Sequence, residues 1–238
     1  MKIAVMQPYF FPYIGYWQLL HAVDRFIIFD DVNYITRGWI NRNRILINGN
    51  PTYITLPLQK ASQNRLICDM KLQSPSEWRE KIMRTIENAY RRAPAFKEIY
   101  PVITEILHYP SLKLSEFLVH QLQVIANVLD IKTQFIHSSS IYSDVVLKGK
   151  ERIMDICQKE NAAIYINLPG GRSLYEAEEF AQKSINLCFI KTHFLPYPQR
   201  APQFAPYLSI LDMLMEEGVE KVKSHHLPAY DLERSGHA

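Results

Sequence analysis

The order of elements at the N-terminus is the feature that most limits what this chain can fold into. Lys2 to Met6 (KIAVM) has the apolar character of a strand, and a loop with two prolines follows from Gln7 to Pro12. A helix is predicted from Tyr13 to Ala22, and the apolar run from Phe26 to Phe29 predicts a second, buried strand. Because neighbouring parallel strands need a crossover connection of this kind, the chain is predicted to open with a parallel β-α-β unit.

Two later regions depart from this pattern. Between Arg44 and Leu58, two alternating runs are joined by Asn48-Gly49, which is a strong hairpin signal, and Pro51 is expected to lengthen the turn. Residues 66–72 could add a third strand. Residues 75–130 are predicted to be helical, with Ser76 as the N-cap of the first helix.

Strands and helices alternate again after residue 130. Strands are predicted at 133–137, 163–167 and 187–193, and helices at 150–159, 173–183 and 209–217. No repeat or linker interrupts the sequence. We therefore predict one α/β domain over residues 1–238, with a mostly parallel, Rossmann-like sheet. A β-hairpin insertion at about 44–72 and a helical insertion at about 75–130 complete this prediction.

Composition limits the class of protein. With 47% hydrophobic and 21% charged residues, disorder is expected only from about Glu233 onward. The net charge of +3 comes from bases interspersed with acids and does not favour nucleic acid as a partner. No signal peptide and no apolar stretch of about 20 residues is present, so a cytoplasmic protein without a membrane span is expected. Cys68, Cys157 and Cys188 lie among apolar residues and are predicted to be reduced and non-catalytic.

Ligands of open α/β sheets bind beyond the carboxyl ends of the strands, and the first such end is rich in aromatic residues. Gln7 ends the first predicted strand, and Tyr13, Gly15 and Tyr16 lie where the next helix starts. The glycine would let a ligand approach the N–H groups of the helix N-terminus. Tyr13 to Tyr16 has the spacing of the H-x-G-H signature of nucleotidyltransferases, although neutral tyrosines would not replace imidazoles on a phosphate. The alternative is that these aromatic residues only pack the helix onto the sheet.

The second strand end, from Asp30 to Ile45, combines opposite charges with aromatic rings. Asp can act as a base or hold an amine, Arg offers a rigid fork for phosphate or carboxylate, and aromatic rings offer a surface for a sugar or base. The candidate residues are Asp30, Asp31, Tyr34, Arg37, Trp39, Asn41 and Arg42. The alternative is a salt-bridged loop that holds the hairpin.

Two further strand ends carry candidate residues. Asn167, Gly170 and Gly171 lie in a Pro-Gly-Gly turn that could bind an anion, with Ser173 as N-cap of the following helix. The turn lacks the Gly-Lys-Ser ending of a Walker loop, and it could simply start a helix. His193 ends the last predicted strand, with Tyr197 and Gln199 beyond it. His193 is either a catalytic residue or a histidine with a structural partner.

Four separated blocks of this sequence resemble the WbqC-like protein family of bacteria. They are MQPYFFPYIGYWQLL, DRFIIFDDVNY with RGWINRNRI, YINLPGG..LY, and LPYPQ....F.PYLSILDML, in this order over about residues 1–217. Members of the family are typically encoded with O-antigen and related polysaccharide genes. The resemblance therefore implies a role in making surface glycans, and glycine transfer onto a sugar is one suggested activity.

The leading hypothesis from the sequence is an aminoacyl- or acyl-transferase that modifies an amino sugar, expected to be nucleotide-linked. Asp30 or Asp31 would be the base, Tyr34 and Trp39 the sugar platform, and Arg37, Arg42 and the Gly170-Gly171 turn the diphosphate anchor. The sequence assigns no cofactor, metal ligand or oligomeric state. A glycosyltransferase and a non-catalytic sugar- or nucleotide-binding protein remain as alternatives.

The strand ends are also predicted to meet in space. If the strands are parallel, Gln7, the Tyr13 to Tyr16 turn, Asp30-Asp31 and Gly170-Gly171 line one cleft, unless the Gly-Gly turn lies one strand too far away.

Overall fold

The computed structural model describes residues 1–74, 77–143 and 146–235. The strands are β1 (Lys2–Met6), β2 (Arg25–Ile28), β3 (Arg42–Ile47), β4 (Asn50–Thr55), β5 (Leu58–Gln59), β6 (Lys71–Leu72), β7 (Gln134–Ile136), β8 (Ile164–Asn167), β9 (Asn186–Thr192) and β10 (Tyr230–Arg234). The helices are α1 (Ile14–Ala22), α2 (Trp78–Tyr90), α3 (Phe96–Leu107), α4 (Leu114–Val128), α5 (Gly149–Lys159), α6 (Ala177–Ala181), α7 (Ile210–Glu217) and α8 (Val219–Lys221).

A six-stranded sheet in the order β10-β9-β8-β1-β2-β7 forms the centre of the fold. The pairs from β9 to β7 are parallel, and only β10 runs antiparallel to its neighbour. The chain moves from β1 to β2 and β7 on one side, and then crosses to β8 and β9 on the other. The parallel strands therefore all end at one edge of the sheet, called the carboxyl edge below, and β1 lies where the strand order reverses.

Alternation along the strands explains why both faces of the sheet are covered. Ala4, Phe26 and Ile28 join one buried cluster with α1, α2, α3, α4 and α7. Their neighbours Ile3, Val5 and Ile27 join a second cluster with α5 and α6. Burial on both faces produces the continuous apolar runs of β1 and β2, as expected for central parallel strands. Helix α1 is buried at every position except His21.

The β3–β4 hairpin follows the sequence prediction closely. Ile47 pairs with Asn50, so the turn consists of Asn48 and Gly49 alone, with φ of 50° and 76°. Positive φ at both central residues is what the tight turn of a right-twisted hairpin requires. Pro51 lies in β4 opposite Leu46 and does not lengthen the turn, so that expectation was wrong.

The structure confirms the predicted α/β class with a mostly parallel sheet, and it corrects three elements. Residues 66–72 form a 3-10 turn and the two-residue β6 instead of one strand. The segment predicted as a helix at 173–183 is a 3-10 turn over Pro169–Leu174 followed by α6, so Ser173 caps no helix. Glu233 lies within β10, which the sequence analysis missed when it expected disorder there. Ser76 lies outside the described residues.

Candidate functional site

Asp30 and Asp31 follow β2 at the carboxyl edge, and they face different cavities. Asp30 is 2% exposed and accepts hydrogen bonds from the Ser115 hydroxyl of α4 and from the Ser138 hydroxyl, the latter at 2.6 Å. It borders a cavity of about 430 Å³, called the Asp30 cavity, whose polar lining includes Asp30, Lys113, Ser115, His120, His137 and Ser138. This volume lies within the range of small-molecule sites.

Titratable side chains line the Asp30 cavity, and burial shifts the pKa of Asp30, His120 and Cys68. Burial raises the pKa of Asp30, while the hydrogen bonds from Ser115 and Ser138 act in the opposite direction. Burial also lowers the pKa of His120, which favours its neutral imidazole, and the centre of this ring lies 3.9 Å from that of Tyr109. Cys68 lies at the same cavity, and burial raises its thiol pKa to about 11. A protonated thiol is a poor nucleophile, which agrees with the predicted non-catalytic role of Cys68.

Asp31 holds a buried arginine. Its Oδ2 lies 3.1 Å from Nη2 of Arg152, which is 4% exposed and also donates to the carbonyl oxygens of Ser139 and Tyr142. Asp31 accepts a further bond from the Ser139 hydroxyl and borders a separate cavity of about 360 Å³. The two adjacent carboxylates therefore point into different spaces and do not form a shared cation site.

A second small-molecule space, called the aromatic cleft, lies beside the start of α1. It has a volume of about 330 Å³ and is lined by Tyr9, Pro12, Tyr13, Trp39, Asn43, Arg44 and Tyr207. These residues come from three chain segments: the β1–α1 loop, the stretch from Trp39 into β3, and the loop before α7. Of the two predicted platform residues, Tyr34 and Trp39, Trp39 lines the cleft, together with Tyr13.

The two arginines of the predicted anchor, Arg37 and Arg42, do not line the aromatic cleft, whereas Arg44 does. The Arg42 guanidinium lies 4.3 Å from the Tyr53 ring centre and donates to the carbonyl oxygens of Gly38 and Arg37, so it is held inside the loop. Arg37 is exposed, with a φ of 60°. Arg44 is the arginine that lines the aromatic cleft, with its guanidinium 5.7 Å from the Trp39 ring centre.

Several predicted site residues form internal contacts that position the loops. The buried Tyr34 donates to Oδ1 of Asn41 at 2.7 Å, and Asn41 donates to the carbonyl oxygen of Leu56. Tyr16, with no exposed surface, donates to the backbone carbonyl of Gln7. These hydroxyl and amide groups fix the β2–β3 and β1–α1 connections.

Gly15 is required for close packing at the start of α1. A Cβ at this position would lie 2.5 Å from the Tyr13 ring and 2.8 Å from the Thr192 hydroxyl. The space that the glycine leaves is therefore occupied by the side chains of Tyr13, just before α1, and Thr192 of β9.

The loop after β9 is held by two carboxylates. Tyr197 and Gln199 both donate to Oδ2 of Asp212, at 2.8 and 3.2 Å, and Asp212 is fully buried. His193 pairs with Asp231 of β10 at 2.9 Å in an exposed position, so this histidine has a structural partner. Tyr13, His193 and Tyr197 all border one small cavity beneath this loop.

In the Pro-Gly-Gly turn after β8, one glycine has space for a side chain and the other does not. A Cβ on Gly170 would meet no atom within 4 Å, whereas a Cβ on Gly171 would lie 2.6 Å from Nδ2 of Asn167. Asn167 is buried and its Oδ1 accepts from the backbone N–H of Leu168. The turn lies at the carboxyl edge with the other predicted segments. Asp30, Asp31 and Tyr13 nevertheless border three cavities with no lining residue in common, and neither Gln7 nor the Gly170-Gly171 turn lines any of the three. These cavities therefore do not form the one shared cleft that the sequence predicts.

Comparison with known proteins assigns the family. A sequence model described as the WbqC-like protein family matches residues 7–224. The chain belongs to the WbqC-like protein family. It is also 32% identical over 222 residues to the "Uncharacterized protein Rv1507c" of Mycobacterium tuberculosis (strain ATCC 25618 / H37Rv), which covers 92% of this chain and 95% of that protein. No solved structure matches the chain.

The residues that line the Asp30 cavity and the aromatic cleft of this WbqC-like protein all lie within the matched range. Several of these lining residues were not predicted as site residues: Tyr9, Asn43, Arg44 and Tyr207 at the cleft, and Ser115, His120 and Ser138 at the cavity. The alternation of β3 did place Arg42 and Arg44 on one face, which was a usable signal.

None of the helices in the described residues is long and apolar enough to cross a membrane. The same residues contain no group of three or more His, Cys, Asp or Glu side chains arranged to hold a metal ion.

Proposed function

We propose that this protein is a transferase of bacterial surface-polysaccharide (O-antigen) biosynthesis that places an acyl or aminoacyl group, such as glycine, on the amino group of a sugar. The acceptor in this proposal is nucleotide-linked. The observation that carries the proposal is the Asp30 cavity at the end of β2. There a buried carboxyl with a raised pKa shares the cavity with the imidazoles of His120 and His137 and with the Lys113–Glu116 ion pair. Perturbed titratable groups inside a cavity are typical of catalytic sites. Membership of the WbqC-like family supports the polysaccharide pathway.

The proposed reaction needs a base for the attacking amine. The amine nitrogen forms a bond to the acyl carbonyl carbon, and the bond from that carbon to the leaving group of the donor breaks with its electron pair. Asp30 accepts the amine proton, directly or through the Ser138 hydroxyl that donates to it, and passes a proton to the leaving group. A carboxylate with a raised pKa is a stronger base than an ordinary aspartate, which favours this role.

The fold supports a Rossmann-like assignment within this proposal. When the six strands are numbered by their order along the chain, the sheet order is that of a doubly wound nucleotide-binding sheet, with the reversal at β1. We further propose one domain, in which the segment between β2 and β7 is an insertion made of the hairpins and α2 to α4. A cytoplasmic location and a small-molecule substrate instead of nucleic acid complete the proposal.

The test is a mass-spectrometric screen of the purified protein with nucleotide-linked amino sugars and candidate acyl donors. Once a product is found, Asp30→Asn is expected to lower the rate by about 100-fold or more, the usual contribution of a general base. Asp69→Asn is the matched control, because Asp69 is an exposed carboxylate one residue from Cys68 at the cavity. Its rate should equal that of the wild type.

The same screen separates the alternatives. Release of a nucleoside diphosphate with transfer of the sugar itself would favour a glycosyltransferase. Binding of a nucleotide sugar without any product would favour a non-catalytic binding protein. An Asp30→Asn variant with full activity would remove Asp30 from the mechanism.

A further inference from the structure

The aromatic cleft has the form of a site for a ring. Tyr9, Tyr13, Trp39 and Tyr207 contribute four aromatic side chains to a space of about 330 Å³. Trp39 and Tyr207 are 39% and 54% exposed, so both residues are partly open to solvent. Open aromatic faces bind nucleobases by stacking and sugars through their apolar faces.

The charge of the cleft favours an anion. Among the lining residues that the structure describes, Arg44 supplies a positive charge and no carboxylate accompanies it. Its Nε is buried without a hydrogen-bond partner, whereas Arg42, on the same face of β3, is bound to two carbonyl oxygens. Among the described residues no acceptor binds the Arg44 guanidinium, and its terminal N–H groups are suited to bind the oxygens of a phosphate in the cleft.

The walls of the cleft are connected by backbone hydrogen bonds. Phe10 N–H donates to the carbonyl oxygen of Trp39 at 3.1 Å, and Ser209 N–H donates to that of Arg44 at 2.9 Å. The Asn43 amide donates to the carbonyl oxygens of both Phe10 and Phe11. Ligand binding therefore needs little ordering of these loops, which lowers its entropic cost.

Backbone strain coincides with the cleft. Tyr207, which lines the cleft, has a φ of 59°, and the buried Phe11, which precedes the lining residue Pro12, has a φ of 40°. Bulky residues rarely adopt this left-handed region. In this conformation the centre of the Tyr207 ring lies 4.5 Å from that of Phe194 and 5.9 Å from that of Tyr13. Strained residues of this kind cluster at binding and catalytic sites.

We propose that the aromatic cleft binds a phosphate group attached to a ring, as in a nucleotide or a sugar phosphate, with the Arg44 guanidinium on the phosphate and Trp39 and Tyr207 against the ring. This inference goes beyond the proposed reaction, because binding in the cleft requires neither Asp30 nor turnover. In this proposal Arg44, which borders a cavity, takes the anchoring role that the sequence predicts for Arg37 and Arg42.

Isothermal titration calorimetry with four probes tests the proposal: UDP, N-acetylglucosamine 1-phosphate, inorganic phosphate and N-acetylglucosamine. We expect UDP, the sugar phosphate or both to bind more tightly than phosphate alone or the neutral sugar. The preferred probe identifies the ring as a nucleoside or a sugar. Arg44→Ala and Trp39→Leu should each weaken binding of that probe by about tenfold or more.

Arg42→Ala and Asp30→Asn are the matched comparisons, and both should bind the preferred probe as the wild type does. Trp39 is exposed, so Trp39→Leu remains informative even if Arg44→Ala lowers the melting temperature. The proposal is overturned if neither UDP nor the sugar phosphate binds with a Kd of about 1 mM or lower. It is also overturned if the neutral sugar binds equally well, or if Arg42→Ala weakens binding while Arg44→Ala and Trp39→Leu do not. Full activity of Asp30→Asn together with normal probe binding would refute the proposed reaction alone. Loss of product in Asp30→Asn, with no binding of UDP or the sugar phosphate to the wild type, would refute the cleft proposal alone.

Discussion

Tyr197 provides the sharpest test of whether the loop before α7 is structural or binds substrate. Its hydroxyl donates to Oδ2 of Asp212, which is fully buried and also accepts from Tyr90 at 2.7 Å. Tyr197→Phe removes one hydrogen bond to a buried carboxyl group and almost no volume. The free energy of unfolding should therefore fall by about 1.5–3 kcal/mol. For a chain of this size, the melting temperature should fall by about 3–12 °C.

Tyr90→Phe should have the larger effect. The Tyr90 hydroxyl donates to Asp212 and also accepts the backbone N–H of Leu46 at 3.2 Å. Its loss leaves that buried N–H without a partner, which adds about 1–3 kcal/mol. The expected order of stability is therefore wild type, then Tyr197→Phe, then Tyr90→Phe.

Urea denaturation followed by circular dichroism measures all three proteins, with Tyr53→Phe as the matched control. Tyr53 is 47% exposed, and its loss of a hydroxyl should change stability by no more than about 0.5 kcal/mol. A Tyr197→Phe protein as stable as Tyr53→Phe would refute the argument. If it also bound the preferred nucleotide or sugar phosphate more weakly, the Tyr197 hydroxyl would be a ligand contact, as the sequence analysis proposed.

Two further predictions concern the carboxyl edge. Gly171→Ala should lower the free energy of unfolding by about 1–3 kcal/mol, because its Cβ would lie 2.6 Å from the buried Asn167 amide. Gly170→Ala should change that free energy by less than about 0.5 kcal/mol, and equal denaturation midpoints for the two variants would contradict this. Burial raises the pKa of Asp30 above 3.8, so between the two pKa values the folded chain keeps a proton that the unfolded chain releases. The resulting stabilisation is complete below pH 3.8 and is lost as the pH rises through the folded-state pKa. The stability advantage of the wild type over Asp30→Asn should therefore decrease as the pH rises through that window in a denaturation series, and a difference independent of pH would contradict the assignment.

Elements with strong local patterns were predictable from the sequence. The continuous apolar runs of β1 and β2 fixed two central strands, and Asn48-Gly49 fixed the hairpin turn. β10 was missed because Tyr230 to Arg234 is a polar edge strand, formed by pairing with β9 rather than by an apolar pattern of its own. The 3-10 turn at Pro169 was missed because glycine and proline permit several turn types.

The candidate site was predictable only in its location. Parallel strands place their polar ends on one edge, and Asp30, Trp39 and Tyr13 all lie there. Whether Arg42 or Arg44 faces a cavity depends on where Tyr53 and Trp39 pack, which is a tertiary property. The different directions of Asp30 and Asp31 depend on partners from distant helices, Ser115 of α4 and Arg152 of α5.

The antiparallel β10 has a consequence for how the protein behaves at high concentration. Without it, the buried apolar strand β9 would present a row of free N–H and C=O groups, which is a template for strand pairing between molecules. β10 covers that row and offers Asp231 and Glu233 instead, and Glu233 pairs with Lys191 and Arg172. At the opposite edge, β7 is only three residues long. Both ends of the sheet are thus poor partners for a second chain, which keeps the central sheet from growing across molecules.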